Sequence, residues 1–216
     1  MLQCTNMLSL RISSCQMDVS ETSHRPAVLP LLHTFEIHFR HFVQATFDRF
    51  FAHLALSALK SFKLSLASSQ PMRWDMGSFT DFQNRSPNIE KFAVRLQGKR
   101  IDAENIVALL HFPTVTGLAI DGSPISDVIV RNLEVNENEP QVLAPNLVEL
   151  ELDATRLSIS ALQTMIRSRW RDLMNATVDV PRVASLKKVV LNHSTDGLEK
   201  LFQPLRDEGF NIRFCQ

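Results

Sequence analysis

Pro145-Asn146-Leu147-Val148-Glu149-Leu150-Glu151-Leu152 places apolar side chains at its third, sixth and eighth positions and acidic ones at its fifth and seventh. Side chains of an extended segment alternate faces, so Leu150 and Leu152 point one way while Glu149 and Glu151 point the other. One face suits an interior and the other suits water. The proline stops any preceding helix and prepares the turn into a strand.

The same spacing returns along the chain, at Met7/Leu10/Ile12, Leu32/Phe35/Ile37, Leu59/Phe62/Leu64, Ile89/Phe92/Val94, Val115/Leu118/Ile120 and Leu186/Val189/Leu191. With Leu147/Leu150/Leu152 that makes seven copies, whose first positions lie 25, 27, 30, 26, 32 and 39 residues apart. A recurrence of roughly 20–29 residues is the signature of a leucine-rich repeat, and the longer intervals imply insertions. The expected fold is therefore α/β: a single leucine-rich-repeat solenoid over residues 1–216, of about seven irregular repeats, with a curved parallel sheet on the concave face and helices on the convex face. Pro87-Asn88 repeats the Pro-Asn lead-in of Pro145-Asn146, and Pro30 and Pro113 stand nearby in their own copies. Eight residues after each first anchor a small polar side chain is expected to satisfy the turn; Cys15, Ser123, Thr155 and Ser194 fit, whereas Arg40, Ala67 and Gln97 do not.

Between the triplets the period becomes helical. Leu162, Met165 and Ile166 form a stripe behind a cap at Ser158 or Ser160; Ile106, Val107 and Leu110 form another behind Asp102. Residues 198–208 predict a helix started by Thr195 or Asp196, kinked at Pro204 and stopped by Gly209, and residues 210–214 a last edge strand. The phenylalanine-rich residues 42–54 also predict a helix, with Phe42, Phe47, Phe50 and Phe51 as core. Loose segments are expected at 16–25, 70–85 and 136–141, where polar residues mix with Pro71, Gly77 or acidic side chains. A doubly wound nucleotide-binding sheet is excluded by the lack of any glycine-rich phosphate turn.

Composition narrows the function classes. Twenty-three lysines and arginines balance twenty-three aspartates and glutamates, so no global field favours nucleic acid or an acidic membrane. Three cysteines, Cys4, Cys15 and Cys215, have neither metal nor disulfide spacing, which with the absence of an apolar leader or an eighteen-residue apolar run points to the cytosol or nucleus. No cofactor is implied.

From residue 143 onward the pattern is more specific. Ala144-Pro145-Asn146-Leu147-Val148-Glu149-Leu150-Glu151-Leu152, then Leu157-Ser158, then Leu162 through Ser168-Arg169-Trp170-Arg171, then Leu186-Lys187-Lys188-Val189-Val190-Leu191, then Leu198 with Asp207-Glu208-Gly209-Phe210, resembles the C-terminal repeats of basidiomycete-type F-box leucine-rich-repeat proteins. The resemblance covers roughly the last third of the chain. It implies the substrate receptor of a cullin-RING ubiquitin ligase of the F-box type, whose repeats hold a protein target and whose F-box holds the ligase adaptor. The chain departs from that pattern in having no Leu-Pro-acidic F-box helix, since a strand triplet begins at Met7. Apolar residues start at once, without a polar capping repeat, which predicts the C-terminal part of a longer product; a repeat-only scaffold unrelated to ubiquitin is the alternative.

The outward set of the ladder includes Arg11, Glu36, His38, Lys63, Lys91, Ala93, Arg95, Gly117, Ala119, Asp121, Glu149, Glu151, Asp153, Lys188 and Val190. Of these, Lys63, Lys91, Arg95, Asp121, Glu149, Glu151, Asp153 and Lys188 are the expected partner-binding residues. The basic Lys63, Lys91 and Arg95 face the acidic Glu149, Glu151 and Asp153, a dipolar surface suited to a partner with both charge signs. His33, His38 and His41 lack a cysteine to complete a zinc tetrahedron and read as turn and face residues. No nucleophile has a catalytic context, and alternate carboxylates on one exposed strand form a solvated strip, so the expectation is a binding domain and not an enzyme. Trp170, at the end of a helix, is read as intra-repeat packing.

Overall fold

Every one of the expected triplets supplies a strand, and the strands stand side by side in chain order. The computed structural model describes residues 6–14, 27–39, 44–67, 76–97, 107, 110–122, 126–136, 142–153, 157–170, 183–192 and 197–215. Strands β1 (Ser9–Ser14), β3 (Thr34–Phe39), β5 (Ser61–Ala67), β6 (Lys91–Gln97), β7 (Gly117–Gly122), β8 (Glu149–Asp153), β9 (Lys188–Asn192) and β10 (Asn211–Cys215) form one eight-stranded sheet in that order. All seven adjacent pairs are parallel. A separate pair of two-residue strands, β2 (Ala27–Val28) and β4 (Leu54–Ala55), has no counterpart in the sequence expectations.

The register is in step throughout. Leu10, Phe35, Phe62, Phe92, Leu118, Leu150, Val189 and Ile212 make one continuous row. Ile12, Ile37, Leu64, Val94, Ile120, Leu152, Leu191 and Phe214 make the next. In the six triplets from Leu32 to Leu191 no member is more than 2% exposed, so the sequence spacing marks the interior at every step. The backbone enforces this alignment at each strand entry. The carbonyls of Leu8, His33, Lys60, Glu90, Thr116 and Val148 each accept two successive amide N–H groups from the following repeat, at 2.8–3.2 Å.

Side chains reinforce the same turns. The Asn88 amide donates to the Ser57 carbonyl (2.8 Å) and the Asn146 amide to the Pro113 carbonyl (2.7 Å), while the Thr114 hydroxyl donates to the Pro87 carbonyl (2.9 Å). The Pro-Asn lead-in thus has a physical role: its asparagine reaches back one repeat and satisfies a turn carbonyl. Cys15, Ser123, Thr155 and Ser194, expected to do this after each strand, lie outside the described residues.

Among the described residues five helices pack on the inward face: α1 (Gln44–Ala52), α2 (Met76–Arg85), α3 (Asp127–Asn132), α4 (Ile159–Trp170) and α5 (Leu198–Asp207). Phe62 stacks on Phe35 and Phe92, with centroids 5.7 and 5.5 Å away, because in-step parallel strands place like residues one strand spacing apart. Phe51 of α1 and Phe82 of α2 meet Phe62 edge-on. Phe47 and Phe51 are buried as expected, and Phe50 is packed against the core.

Three expectations change. Residues 70–85 read as loose in the sequence, yet Met76–Arg85 is helical: Phe79 and Phe82, three apart, fall on one face and are fully buried. The helix expected over 42–54 ends at Ala52, and Leu54 pairs instead with Ala27 as part of β4. Helix α3, which no sequence stripe announces, buries only Ile129 and Val130. The 103–110 helix lies largely outside the described residues, although Leu110 is buried. Helix α5 begins after Gly197 and ends as expected at Gly209, whose φ of 97° lets its own N–H reach the Arg206 carbonyl and that of Phe210 reach Leu205.

Helix α4 follows the expected stripe, burying Leu162, Met165 and Ile166, with the Ser158 hydroxyl accepting the Ala161 N–H at 3.3 Å. It also buries Arg169, 2% exposed, whose guanidinium donates to the carbonyls of Leu133, Ala144 (3.1 Å) and Leu143 (2.5 Å). Burial lowers its pKa to about 10, so it remains a cation at neutral pH. Arg85 has the same role between α1 and α2, donating to the carbonyls of Phe51 (2.7 Å), Ala52 (3.2 Å) and Leu54 (2.8 Å). Each arginine stands in the last turn of one helix and satisfies carbonyls of the preceding repeat, Arg85 at the end of α1 and Arg169 both at the end of α3 and in the turn before β8. Trp170 packs on Phe210 of the next repeat, centroids 5.2 Å apart.

Arg169→Ala should lower the unfolding free energy by about 3 kcal/mol, since it strands three carbonyls, and Arg169→Lys should recover less than half of that because an ammonium cannot span them. Urea denaturation followed by circular dichroism measures both. Gly122→Ala should cost on the order of 3 kcal/mol in the same assay: at φ 125° its new Cβ would lie 1.9 Å from the Leu96 carbonyl oxygen. The Asp127 carboxylate is hydrogen-bonded by the side chain and the backbone N–H of Ser158, the latter at 2.7 Å, and this bonding holds its pKa below the usual 3.8. Its contribution is present above pH 3.8 and lost as pH falls through the lower folded value, so the stability gap between wild type and Asp127→Ala should close as pH drops from 7 toward 3.

Candidate functional site

The outward face of the sheet carries the polar rows that the ladder implies, and strand register decides which side chains meet. In the first row Lys91, Gly117, Glu149 and Lys188 are successive neighbours; in the second, Lys63, Ala93, Ala119, Glu151 and Val190 are. Between β6 and β9 these residues, Lys63 excepted, line a depression of about 250 Å³. Its floor is small side chains and backbone at Ala93, Gly117, Ala119 and Val190, and its rim is Lys91, Glu149, Glu151 and Lys188.

Four of the eight expected binding residues therefore come together. Three others lie on the same face but are engaged within it. Glu36 receives Arg11 at 3.4 Å and Lys63 at 3.2 Å, and Arg95 donates to Asp121 at 2.6 Å. The eighth is a correction: Asp153 is only 8% exposed. It sits at the C-terminal end of its strand, and Ser65 on β5 is likewise only 4% exposed. A carboxylate there does not present itself to a partner.

The expected dipole is likewise redrawn. Lys63 shares Glu36 with Arg11 and Arg95 pairs with Asp121, while Lys188 stands on the far side of Glu149. Lys91 and Lys188 stand on either side of Glu149 and Glu151, so the positive and negative ends merge into one mixed ring around the small-residue floor. Glu151 is fixed on one side by the Asn192 amide, which donates to its Oε1 at 2.7 Å.

Sequence reasoning ranks charges and passes over the gap between them. Ala93, Gly117, Ala119 and Val190 belong to the outward set without being singled out in it. The signal is present, as small residues at outward positions of adjacent repeats, yet it acquires meaning only once the register brings them side by side.

Glu149 and Glu151 are exposed and project from one strand into solvent. An open floor of this kind offers contact area and charge. It lacks an enclosed volume in which an acid and a base converge on a substrate. His33 is exposed, His38 is half-buried on β3, and His41 lies outside the described residues. Among the described residues no three His, Cys, Asp or Glu side chains gather as a metal site, and no helix is long and apolar enough to cross a membrane. Cys215 is a free, exposed thiol.

Compared with protein-family models, with curated proteins and with solved structures, the chain matches none.

Proposed function

We propose that the chain is a leucine-rich-repeat solenoid acting as a protein-interaction domain, with the outward face of its sheet as the surface that holds a protein target. The observation that carries this reading is the mixed-charge ring of Lys91, Glu149, Glu151 and Lys188 around a floor of small residues on the outward face of the sheet. Interface centres favour such shallow floors, which accept a partner's side chain, and charged rims, which set orientation and encounter rate. A small-molecule site is a poorer fit: about 250 Å³ falls below the roughly 300 Å³ at which ligand pockets begin.

The finer assignment is substrate recognition for an F-box-type ubiquitin ligase, and it is supported by the resemblance of the last third of the chain to F-box leucine-rich-repeat proteins. On this reading the target occupies the sheet face, the ligase adaptor is engaged only through an F-box in a longer product, and the protein works in the cytosol or nucleus.

The test is affinity purification of the full-length product, as wild type and as Glu149→Lys/Glu151→Lys, with mass spectrometry of what is retained. Both glutamates are exposed, so the double variant should keep its unfolding free energy to within about 0.5 kcal/mol. The target should be retained by wild type and depleted at least tenfold by the variant, with a cullin and its adaptor present in both. Equal retention of every partner would move binding off this face. Face-dependent partners without a cullin would leave a binding scaffold unconnected to ubiquitin.

A further inference from the structure

The rim charges of the depression differ from the other charged residues on β1 to β7. Arg11 and Lys63 share Glu36, and Arg95 pairs with Asp121. Among the described residues the side chains of Lys91, Glu149 and Lys188 have no ion pair or hydrogen bond, although Glu149 and Lys188 are in-register neighbours. In water this is inexpensive. Once a partner covers the depression, each rim charge loses solvent, and an unpaired buried charge is costly. A tolerated partner must bring opposite charges: acidic above Lys91, and basic above Glu149 and Glu151, whose two carboxylates outweigh the single Lys188.

Between those ends the floor needs an apolar residue. Gly117 contributes no side chain, and Ala93 and Ala119 contribute one methyl each. The charged ends lie on β6 and β8, two strand spacings apart, roughly 9.6 Å. In an α-helix the rise from residue i to i+7 is roughly 10.5 Å, with i+4 on the same face between them. In an extended segment the corresponding alternate positions i and i+4 span roughly 13 Å and overshoot. Resting on the face-binding reading above, we propose that the element received here is an amphipathic helix of the partner protein, laid across β6, β7 and β8, with an acidic, an apolar and a basic residue at i, i+4 and i+7.

The test is selection from a displayed library of helical peptides randomised at i, i+4 and i+7, against the full chain as wild type, Lys91→Glu, Glu149→Lys/Glu151→Lys and Gly117→Val. Valine suits a strand, and a Cβ at Gly117 would meet only the Lys91 Cγ at an ordinary 3.6 Å, so this variant should fold while filling the floor. Wild type should enrich an acidic, a bulky apolar and a basic residue, with the charges at opposite ends. Lys91→Glu should enrich basic residues at both ends, the double glutamate variant acidic residues at both, and Gly117→Val should replace the bulky middle residue with alanine or glycine. The wild-type consensus peptide should bind each variant at least tenfold more weakly.

Failure to enrich any helix overturns the inference. So does enrichment without charge order, or enrichment that survives Gly117→Val. If hydrogen exchange shows such peptides protecting the sheet face, the face-binding reading survives that failure. If they protect only the helical side, it falls as well.

Discussion

The structure depends on one recurring contact, the turn carbonyl that accepts two successive N–H groups from the next repeat. It occurs at six consecutive strand entries, and it sets each new strand level with the last. A slip of one residue would turn every apolar side chain of a strand to the wrong face. Hydrophobic burial makes such slips costly, and the paired N–H groups at the entry fix where the count begins. The inward rows, the outward rows and the depression all follow from that alignment.

Behind the sheet the space is filled unevenly. From β3 to β6 the rows and helices α1 and α2 share a dense group of phenylalanines, whereas from β7 to β9 the rows are aliphatic. Where the helices end, Arg85 and Arg169 reach back to satisfy carbonyls of the preceding repeat. Burying Arg169 carries a desolvation cost, visible in its lowered pKa, and the three carbonyls offset it. Arg169 and its neighbours therefore join adjacent repeats by a second route, independent of the strand ladder.

The ladder is legible in the sequence because leucine, isoleucine, valine and phenylalanine at fixed spacing need no partner to be recognised. Helix α4 is legible for the same reason, through Leu162, Met165 and Ile166. Helix α2 is not, because Gly77 and the nearby Pro71 draw attention from Phe79 and Phe82. The candidate site is half legible: alternation alone places Glu149 and Glu151 outward, but the pairing of Lys63 with Glu36 joins repeats 27 residues apart in sequence, and the burial of Asp153 depends on where its strand ends. Arg169 shows the limit most clearly. Nothing local distinguishes it from Arg167, two positions earlier on the same helix, which is exposed.

Parallel pairing strictly in chain order also has a mechanical corollary. Each strand of the large sheet is bonded only to the strand before it and the strand after it, with no contact tying the first to the last. Tension applied to the two ends would shed repeats singly from the tips inward, in a staircase of small force drops. The phenylalanine-rich half should yield last, and the β7 to β9 half, where the depression lies, should be the more compliant region when a partner docks.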